Sequence, residues 1–161
     1  MSAIDMLESQ HRDVEELFDE FEGAESPKEK REIFEMLADK LAVHATIEEK
    51  HFYPAIKAKQ TDDILREAVE EHLAVKRLIA DLLSLDPKDE QFEAKMTVLR
   101  EQIEHHVEEE EDEMFPKVKK LLDAEQLDAL EQEMTATQEE LLASGNPRES
   151  VPDEIEQAAP I

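Results

Sequence analysis

Apolar residues recur every three to four positions through most of the chain, which is the spacing of helices with one buried face. Proline and turn residues divide this pattern: Ser26-Pro27 and Asp86-Pro87 each pair a capping residue with a proline suited to the first turn of a helix. Thr61 is a further candidate cap. The pattern predicts five helices, at about residues 2–22, 27–59, 62–84, 87–122 and 123–143.

The C-terminal stretch 144–161 has a different character from the helices. It contains prolines and acidic residues with little apolar periodicity, which is typical of a segment that cannot bury enough apolar surface to fold. We therefore predict three units: a helical bundle over 1–122, a C-terminal helix over 123–143 and a flexible tail over 144–161.

The first two predicted helices are repeated in the next two. A shift of 61 residues superimposes the first helix on the third, and a shift of 62 superimposes the second on the fourth. The chemically distinctive matches are His11 with His72, His44 with His106, Glu48 with Glu110, and Pro54 with Pro116. Two helical hairpins of one design predict a four-helix bundle, because each hairpin covers the apolar stripe of the other.

Each of the four bundle helices places a histidine on its apolar face. At about 100° per residue, Leu37 lies about 20° from His44 on the second helix, and Glu48 lies about 40° from it. The fourth helix repeats this arrangement around His106. The predicted inward polar residues are His11, His44, Glu48, His72, His106 and Glu110.

Two buried carboxylates ringed by four imidazoles require a positive charge between them, because an unpaired buried carboxylate is strongly disfavoured. Divalent cations provide that charge, since imidazoles donate nitrogen lone pairs and a carboxylate can bridge two ions. Nitrogen and oxygen donors together suit iron, manganese or zinc better than magnesium or calcium. The sequence therefore predicts a pair of metal ions with open coordination positions for small molecules.

The spacing H…HxxxE…H…HxxxE is accompanied by an acidic residue after each glutamate, Glu49 and Glu111. An aromatic-proline pair also follows each motif, as Tyr53-Pro54 and Phe115-Pro116. In these features the chain resembles the hemerythrin-like (HHE cation-binding) family over roughly residues 1 to 122. The resemblance implies an all-α, up-down-up-down bundle around two non-haem iron ions joined by an oxo or hydroxo bridge. It also implies terminal ligands at His11, His44, His72 and His106, and bridging ligands at Glu48 and Glu110.

The chain departs from the oxygen carriers of that family at two positions. The carriers have a second histidine four residues after the one on the third helix, where this chain has Lys76, and their last bridging acid follows its histidine by five residues rather than four. These departures disfavour reversible oxygen carriage. We expect a centre that binds or senses dioxygen, nitric oxide or peroxide; the alternatives are an enzyme that removes peroxide or nitric oxide, and an iron-handling protein.

Several other polar residues lie near the predicted site. His51 falls about −20° from His44 on the same face, and Glu113 is its match in the repeat, so both are candidate extra ligands or hydrogen-bond partners of ligands. His105 lies about 100° from His106 and is predicted to face solvent.

Two further residues are not predicted to bind metal. Tyr53 falls about opposite His44 and is predicted to contribute packing. Lys76 is predicted to extend its ammonium group out of the bundle.

The acidic composition limits the partners of the chain. The formal net charge is −26, from 18 basic and 44 acidic residues, which disfavours both nucleic acid and anionic membranes. There is no cysteine, and neither a signal peptide nor an apolar run long enough to span a bilayer is visible. These features predict a cytoplasmic helical protein whose partners are small molecules.

Overall fold

The computed structural model describes all 161 residues, and all of its regular structure is helical. The α-helices are α1 (Ala3–Gly23), α2 (Pro27–Ile47), α3 (Tyr53–Ile56), α4 (Asp62–Ser84), α5 (Glu90–Glu109), α6 (Phe115–Leu121) and α7 (Ala124–Ala143). One π-helical turn (Glu48–Phe52) joins α2 to α3, another (Glu110–Met114) joins α5 to α6, and a 3₁₀ helix (Pro147–Glu154) follows α7. None of the helices combines the length and the apolar character that crossing a bilayer requires.

The helix starts are fixed by capping side chains. Ser26 accepts a hydrogen bond from the backbone N–H of Glu29 at 3.1 Å, immediately before the predicted first-turn proline of α2. Helix α4 begins at Asp62 as predicted, but the hydroxyl of Thr61 donates to the carbonyl of Ile56 instead of capping the helix. The predicted start of the fourth helix at residue 87 needs correction, since α5 begins after Asp89 and Asp86 closes a separate turn.

The helices pack as the predicted bundle with an additional C-terminal helix. Helix α1 lies along α2, α4 lies along α5, and α7 covers α1 and α2. Two apolar clusters fill the two ends of the bundle. On α1, Leu7 belongs to one cluster, Val14 belongs to the other, and His11 lies between them. Helix α4 repeats this arrangement around His72, so a buried polar layer separates two apolar layers.

The two π-turns begin at equivalent points in the repeat, directly at Glu48 and Glu110. The backbone N–H of Tyr53 bonds to the carbonyl of Glu48, and that of Phe115 bonds to the carbonyl of Glu110, so each turn is closed over five residues instead of four. One extra residue per turn rotates everything beyond it by about 100° relative to an uninterrupted α-helix. Assigning residues to helix faces at 100° per residue is therefore valid up to each glutamate and fails after it.

The segment predicted as a flexible tail is instead packed on the bundle. The 3₁₀ helix lies across α2 and α4, and Val151 is only 1% exposed in the apolar core. Arg148 forms ion pairs with Glu35 at 2.8 Å and Asp39 at 2.9 Å. Ala158, Ala159 and Ile161 also pack against the other apolar cluster. A segment held by a few scattered apolar side chains and by ion pairs has no amphipathic period, so the sequence pattern does not reveal its order.

Candidate metal centre

Six side chains meet in the buried polar layer, and they are the six inward residues predicted from the sequence. Their donor atoms form two groups, each within 4.8 Å: His11, His44 and Glu110, and Glu48, His72 and His106. None of these residues is more than 8% exposed. We refer to these six residues as the His/Glu cluster.

Each glutamate of the His/Glu cluster contacts histidines from both hairpins. Glu48 Oε1 lies 3.0 Å from His44 Nε2 on its own hairpin and 3.2 Å from His72 Nε2 on the other. Glu110 Oε1 lies 3.1 Å from His11 Nε2, while Glu110 Oε2 lies 3.4 Å from His106 Nε2. Both carboxylates thus lie between the two groups, which is the placement that a bridging carboxylate requires.

The outer nitrogen of every cluster histidine is held by a hydrogen bond. In each case Nδ1 donates over 2.7 Å to a side-chain oxygen: His11 to Glu111, His44 to Gln10, His72 to Glu49, and His106 to Glu71. The acceptors Glu49 and Glu111 are the acidic residues that follow the two glutamates of the motif. Because Nδ1 carries the proton in this arrangement, a neutral imidazole directs the lone pair of Nε2 into the cluster.

The interior of the cluster contains no lysine or arginine, so positive charge can come only from protonated imidazoles or from a metal ion. The Nε2 atoms of His72 and His106 are 3.2 Å apart, so their lone pairs face one another unless a proton or a metal ion intervenes. Both carboxylate oxygens of Glu48 are buried without a hydrogen-bond partner. Nitrogen and oxygen donors converging on such a place fit a divalent transition metal.

Protons compensate the charge in the metal-free protein. Burial by itself would lower the pKa of His44, but the charge of Glu48 and a hydrogen bond to Glu110 raise it to about 9. Burial and the charge of Glu110 would raise the pKa of Glu48, but the neighbouring imidazoles of His44 and His106 hold it at about 2. Without metal, His44 is therefore an imidazolium paired with the carboxylate of Glu48.

Tyr53 was predicted to be a packing residue on the side of the helix opposite His44. That prediction is wrong, because Tyr53 belongs to the site. Its hydroxyl donates to Glu110 Oε2 at 2.8 Å and lies 3.2 Å from His72 Nε2, and the two rings stack at 5.5 Å. The π-turn at Glu48 rotates Tyr53 into the bundle. Burial and the charge of Glu110 raise the pKa of Tyr53 well above its usual value, so the phenol keeps its proton.

The repeat position of Tyr53 is occupied by Phe115, which has no hydroxyl. The Phe115 ring stacks in parallel on His11 at 6.1 Å, as Tyr53 stacks on His72. Glu110 therefore receives a phenolic hydrogen bond, whereas Glu48 receives none. The two halves of the cluster are equivalent in fold but not in chemistry.

The two additional candidates, His51 and Glu113, lie away from the cluster. His51 Nε2 is 2.6 Å from the hydroxyl of Thr137 on α7, and Glu113 is exposed. The prediction placed both on the cluster face by counting through the π-turns as α-helix, so the extra residue explains both errors. His105 lies at the surface as expected, with 62% of its side chain exposed.

Lys76 was predicted to extend into solvent, but the structure shows that it does not. It is 8% exposed, and its Nζ donates to both oxygens of Glu49 at 2.9 and 3.1 Å and to Glu154 at 3.2 Å. Since Glu49 also holds His72, Lys76 links the C-terminal segment to the cluster through charged hydrogen bonds.

Replacing Tyr53 with phenylalanine is expected to lower the unfolding free energy of the metal-free protein by about 2 kcal/mol, because a hydrogen bond to a buried carboxylate is lost. Urea denaturation measures the change. Thr135→Val is the matched control, since it removes a hydroxyl that bonds to Glu131 outside the cluster at 2.8 Å. Equal losses in the two variants would contradict a special role for the Tyr53 hydroxyl.

Comparison with known proteins agrees with this geometry. The family description "Hemerythrin HHE cation binding domain" matches residues 2–118. A crystal structure of a Hemerythrin HHE cation binding domain-containing protein from Mycobacterium kansasii has a TM-score of 0.78 and 26% sequence identity, covering 89% of each chain.

A curated relative from Nostoc sp., named DNA nickase, is 25% identical over 141 residues, which is 88% of this chain. The chain spans 40% of the length of that relative. The family match covers both histidine-glutamate motifs, so the resemblance seen in the sequence pattern is confirmed. The chain belongs to the hemerythrin HHE cation-binding domain family.

Proposed function

We propose that the His/Glu cluster holds a pair of non-haem iron ions and that the protein binds or senses dioxygen, nitric oxide or peroxide at this centre. The observation that carries the proposal is the pair of Glu48 oxygens, buried without hydrogen-bond partners beside inward-facing imidazole nitrogens. A cation between these groups would compensate the negative charges of the buried carboxylates, which otherwise only bound protons compensate.

The donor set suits two ions. His11 and His44 would hold one ion and His72 and His106 the other, with Glu48 and Glu110 shared between them. Four imidazoles and two carboxylates do not fill the coordination shells of two octahedral ions, so positions for a small molecule remain open. Bound iron would supply redox-active Lewis-acid sites for such a molecule.

The protein residues around the cluster orient its ligands and control its protons. Glu49, Glu71, Glu111 and Gln10 fix the imidazole rings through Nδ1, which keeps Nε2 directed inward. Tyr53 holds a proton at Glu110 Oε2. The apolar layers on either side exclude water from the centre.

A second candidate function is enzymatic removal of peroxide or nitric oxide. The position of Tyr53 favours it, because a buried hydroxyl beside the cluster is a proton donor that turnover could use. Simple binding of a gas has no comparable need for a proton.

Anaerobic loading with ferrous iron, followed by exposure to nitric oxide or air, tests the proposal. The expected result is a pair of irons per chain and an absorption band that appears with the added molecule. His51→Ala is the control, because His51 bonds to Thr137 on α7 and not to the cluster, so this variant should load and respond like the wild type. Peroxide or nitric oxide consumption faster than that of free iron would select the enzyme. Loading without any such band would reject both functions.

Metal uptake is expected to release protons, because His44, with a pKa of about 9, is an imidazolium at neutral pH and must lose its proton to bind metal. The apparent affinity for zinc should therefore rise as the pH increases from neutrality to about 9. Competition with a chromogenic chelator at several pH values measures this dependence. An affinity that is constant over that range would contradict the prediction.

We do not extend the nickase activity of the Nostoc relative to this chain. A nickase must bind the phosphate backbone of DNA, and a net charge of −26 opposes that contact. This chain also spans only 40% of the relative's length.

A further inference from the structure

A small cavity of about 30 Å³ lies against the His/Glu cluster. His44, His72 and His106 form its inner side. The remaining wall is apolar, with Ile79 and Ile103 among its residues, except for Lys76 and Glu154, which neutralise one another as an ion pair at 3.2 Å. A space of this size holds one or two water-sized molecules. Apolar walls cannot replace the hydration shell of an ion, so the cavity suits an uncharged molecule of two or three non-hydrogen atoms.

The outer wall of the cavity comes from the C-terminal 3₁₀ helix. Val151 and Glu154 both line the cavity, and Val151 packs into the same apolar cluster as Ile79 and Ile103. Val151 lies well outside the family match, which covers residues 2–118. The bundle common to the family thus leaves this side of the cavity to be closed by a segment that follows α7.

The closing segment is anchored at both ends. At its start, the Arg148 backbone N–H and guanidinium both donate to Asp39, at 3.0 and 2.9 Å. At its end, Glu154 accepts from Lys76 at 3.2 Å, and Arg77 donates to the carbonyl of Ile155 at 3.0 Å. These bonds reach α2 on one side and α4 on the other. They hold Val151 in place over the cavity.

We propose that Val151 is a specificity-determining residue, which limits the molecules that reach the cluster to small uncharged species such as nitric oxide or dioxygen. The inference rests on the proposed function, since it concerns the ligand of that same centre. Its physical basis is steric: the side chain of residue 151 sets the volume left between the 3₁₀ helix and the three histidines.

Xenon pressurisation of crystals of the metal-free protein tests the cavity without any metal. Xenon is expected beside Val151 in the wild type and absent from Val151→Phe, whose larger ring fills the space. Val98→Phe is the matched control, because Val98 is 41% exposed on α5 and its replacement should leave the xenon site unchanged. Val151→Ala, which only enlarges the cavity, should take up xenon at lower pressure and covers the case in which Val151→Phe fails to fold.

Stopped-flow binding of nitric oxide to the iron-loaded protein tests whether Val151 controls the access of small molecules to the cluster. Val151→Phe is expected to bind nitric oxide roughly tenfold more slowly than the wild type at equal iron content, whereas Val98→Phe should bind at the wild-type rate. Xenon that is absent from the wild-type cavity, or present in Val151→Phe, overturns the proposal, as does an unchanged nitric oxide rate. Failure to load iron would instead reject the proposed function, while the xenon result would still decide whether Val151 closes the cavity.

Discussion

The Glu48→Gln variant is expected to lose the paired metal centre. Glutamine keeps the shape of the side chain but removes the negative charge and one strong donor oxygen, so Glu48 could no longer bridge two ions. Substitution of a residue that only orients a ligand costs about 10- to 100-fold in metal affinity, and loss of a bridging ligand should exceed that range. Competition with a chromogenic chelator, together with elemental analysis, measures the affinity and the number of ions bound.

Glu113→Gln is the matched control for this experiment. Glu113 lies three residues after Glu110, but it is exposed and away from the cluster. The control should load like the wild type. If both variants lost metal equally, binding would depend on surface acidity and not on the buried cluster.

Removal of metal is expected to lower the thermal stability of the protein. An ion that binds only the folded chain stabilises it by about 2.7 kcal/mol per site at a free concentration 100 times the dissociation constant. Two sites in one buried layer should therefore raise the melting temperature by many degrees, and a strong chelator should reverse the increase. Differential scanning calorimetry of loaded, chelated and Glu48→Gln protein measures the shift.

The stability shift also separates a metal centre from a purely structural bundle. The Glu48→Gln protein should melt at the same temperature with and without metal, while His51→Ala should show the wild-type increase. A loaded wild type that melts at the temperature of the chelated protein would show that the ions bind outside the folded core.

The sequence pattern predicted the residues of the cluster because α-helical geometry holds up to that layer. His11 and His72 lie within uninterrupted helices, and His44 and His106 precede the π-turns, so counting at 100° per residue placed them correctly. Glu48 and Glu110 begin the π-turns and still obey the count.

After the first residue of each π-turn the same count fails, because the turn contains one extra residue. Tyr53 was therefore missed, and His51 and Glu113 were placed on the wrong face. The apolar period of the sequence gives no warning of a π-turn, although an aromatic-proline pair five residues after each motif glutamate is a visible irregularity at both sites. A proline cannot donate the backbone bond that an α-helix would require of it.

The hydrophobic periodicity also failed to predict that the C-terminal segment packs on the bundle, but for a different reason. Its position depends on contacts with residues far away in the chain: Arg148 with Asp39, and Glu154 with Lys76. Such pairs have no sequence spacing that marks them. Only the three-dimensional packing of α2 and α4 brings the partners together.

The side chains that accept hydrogen bonds from the histidine Nδ1 atoms differ between the two halves of the cluster, so the two halves are not equivalent as metal sites. His44 is supported by a neutral amide, Gln10, while its repeat mate His106 is supported by the carboxylate of Glu71. A carboxylate makes the imidazole that it holds a stronger electron donor than an amide does. Two ions in these pockets would therefore differ in affinity and in reduction potential, and they would enter stepwise, with the ion bound by His72 and His106 the more firmly held.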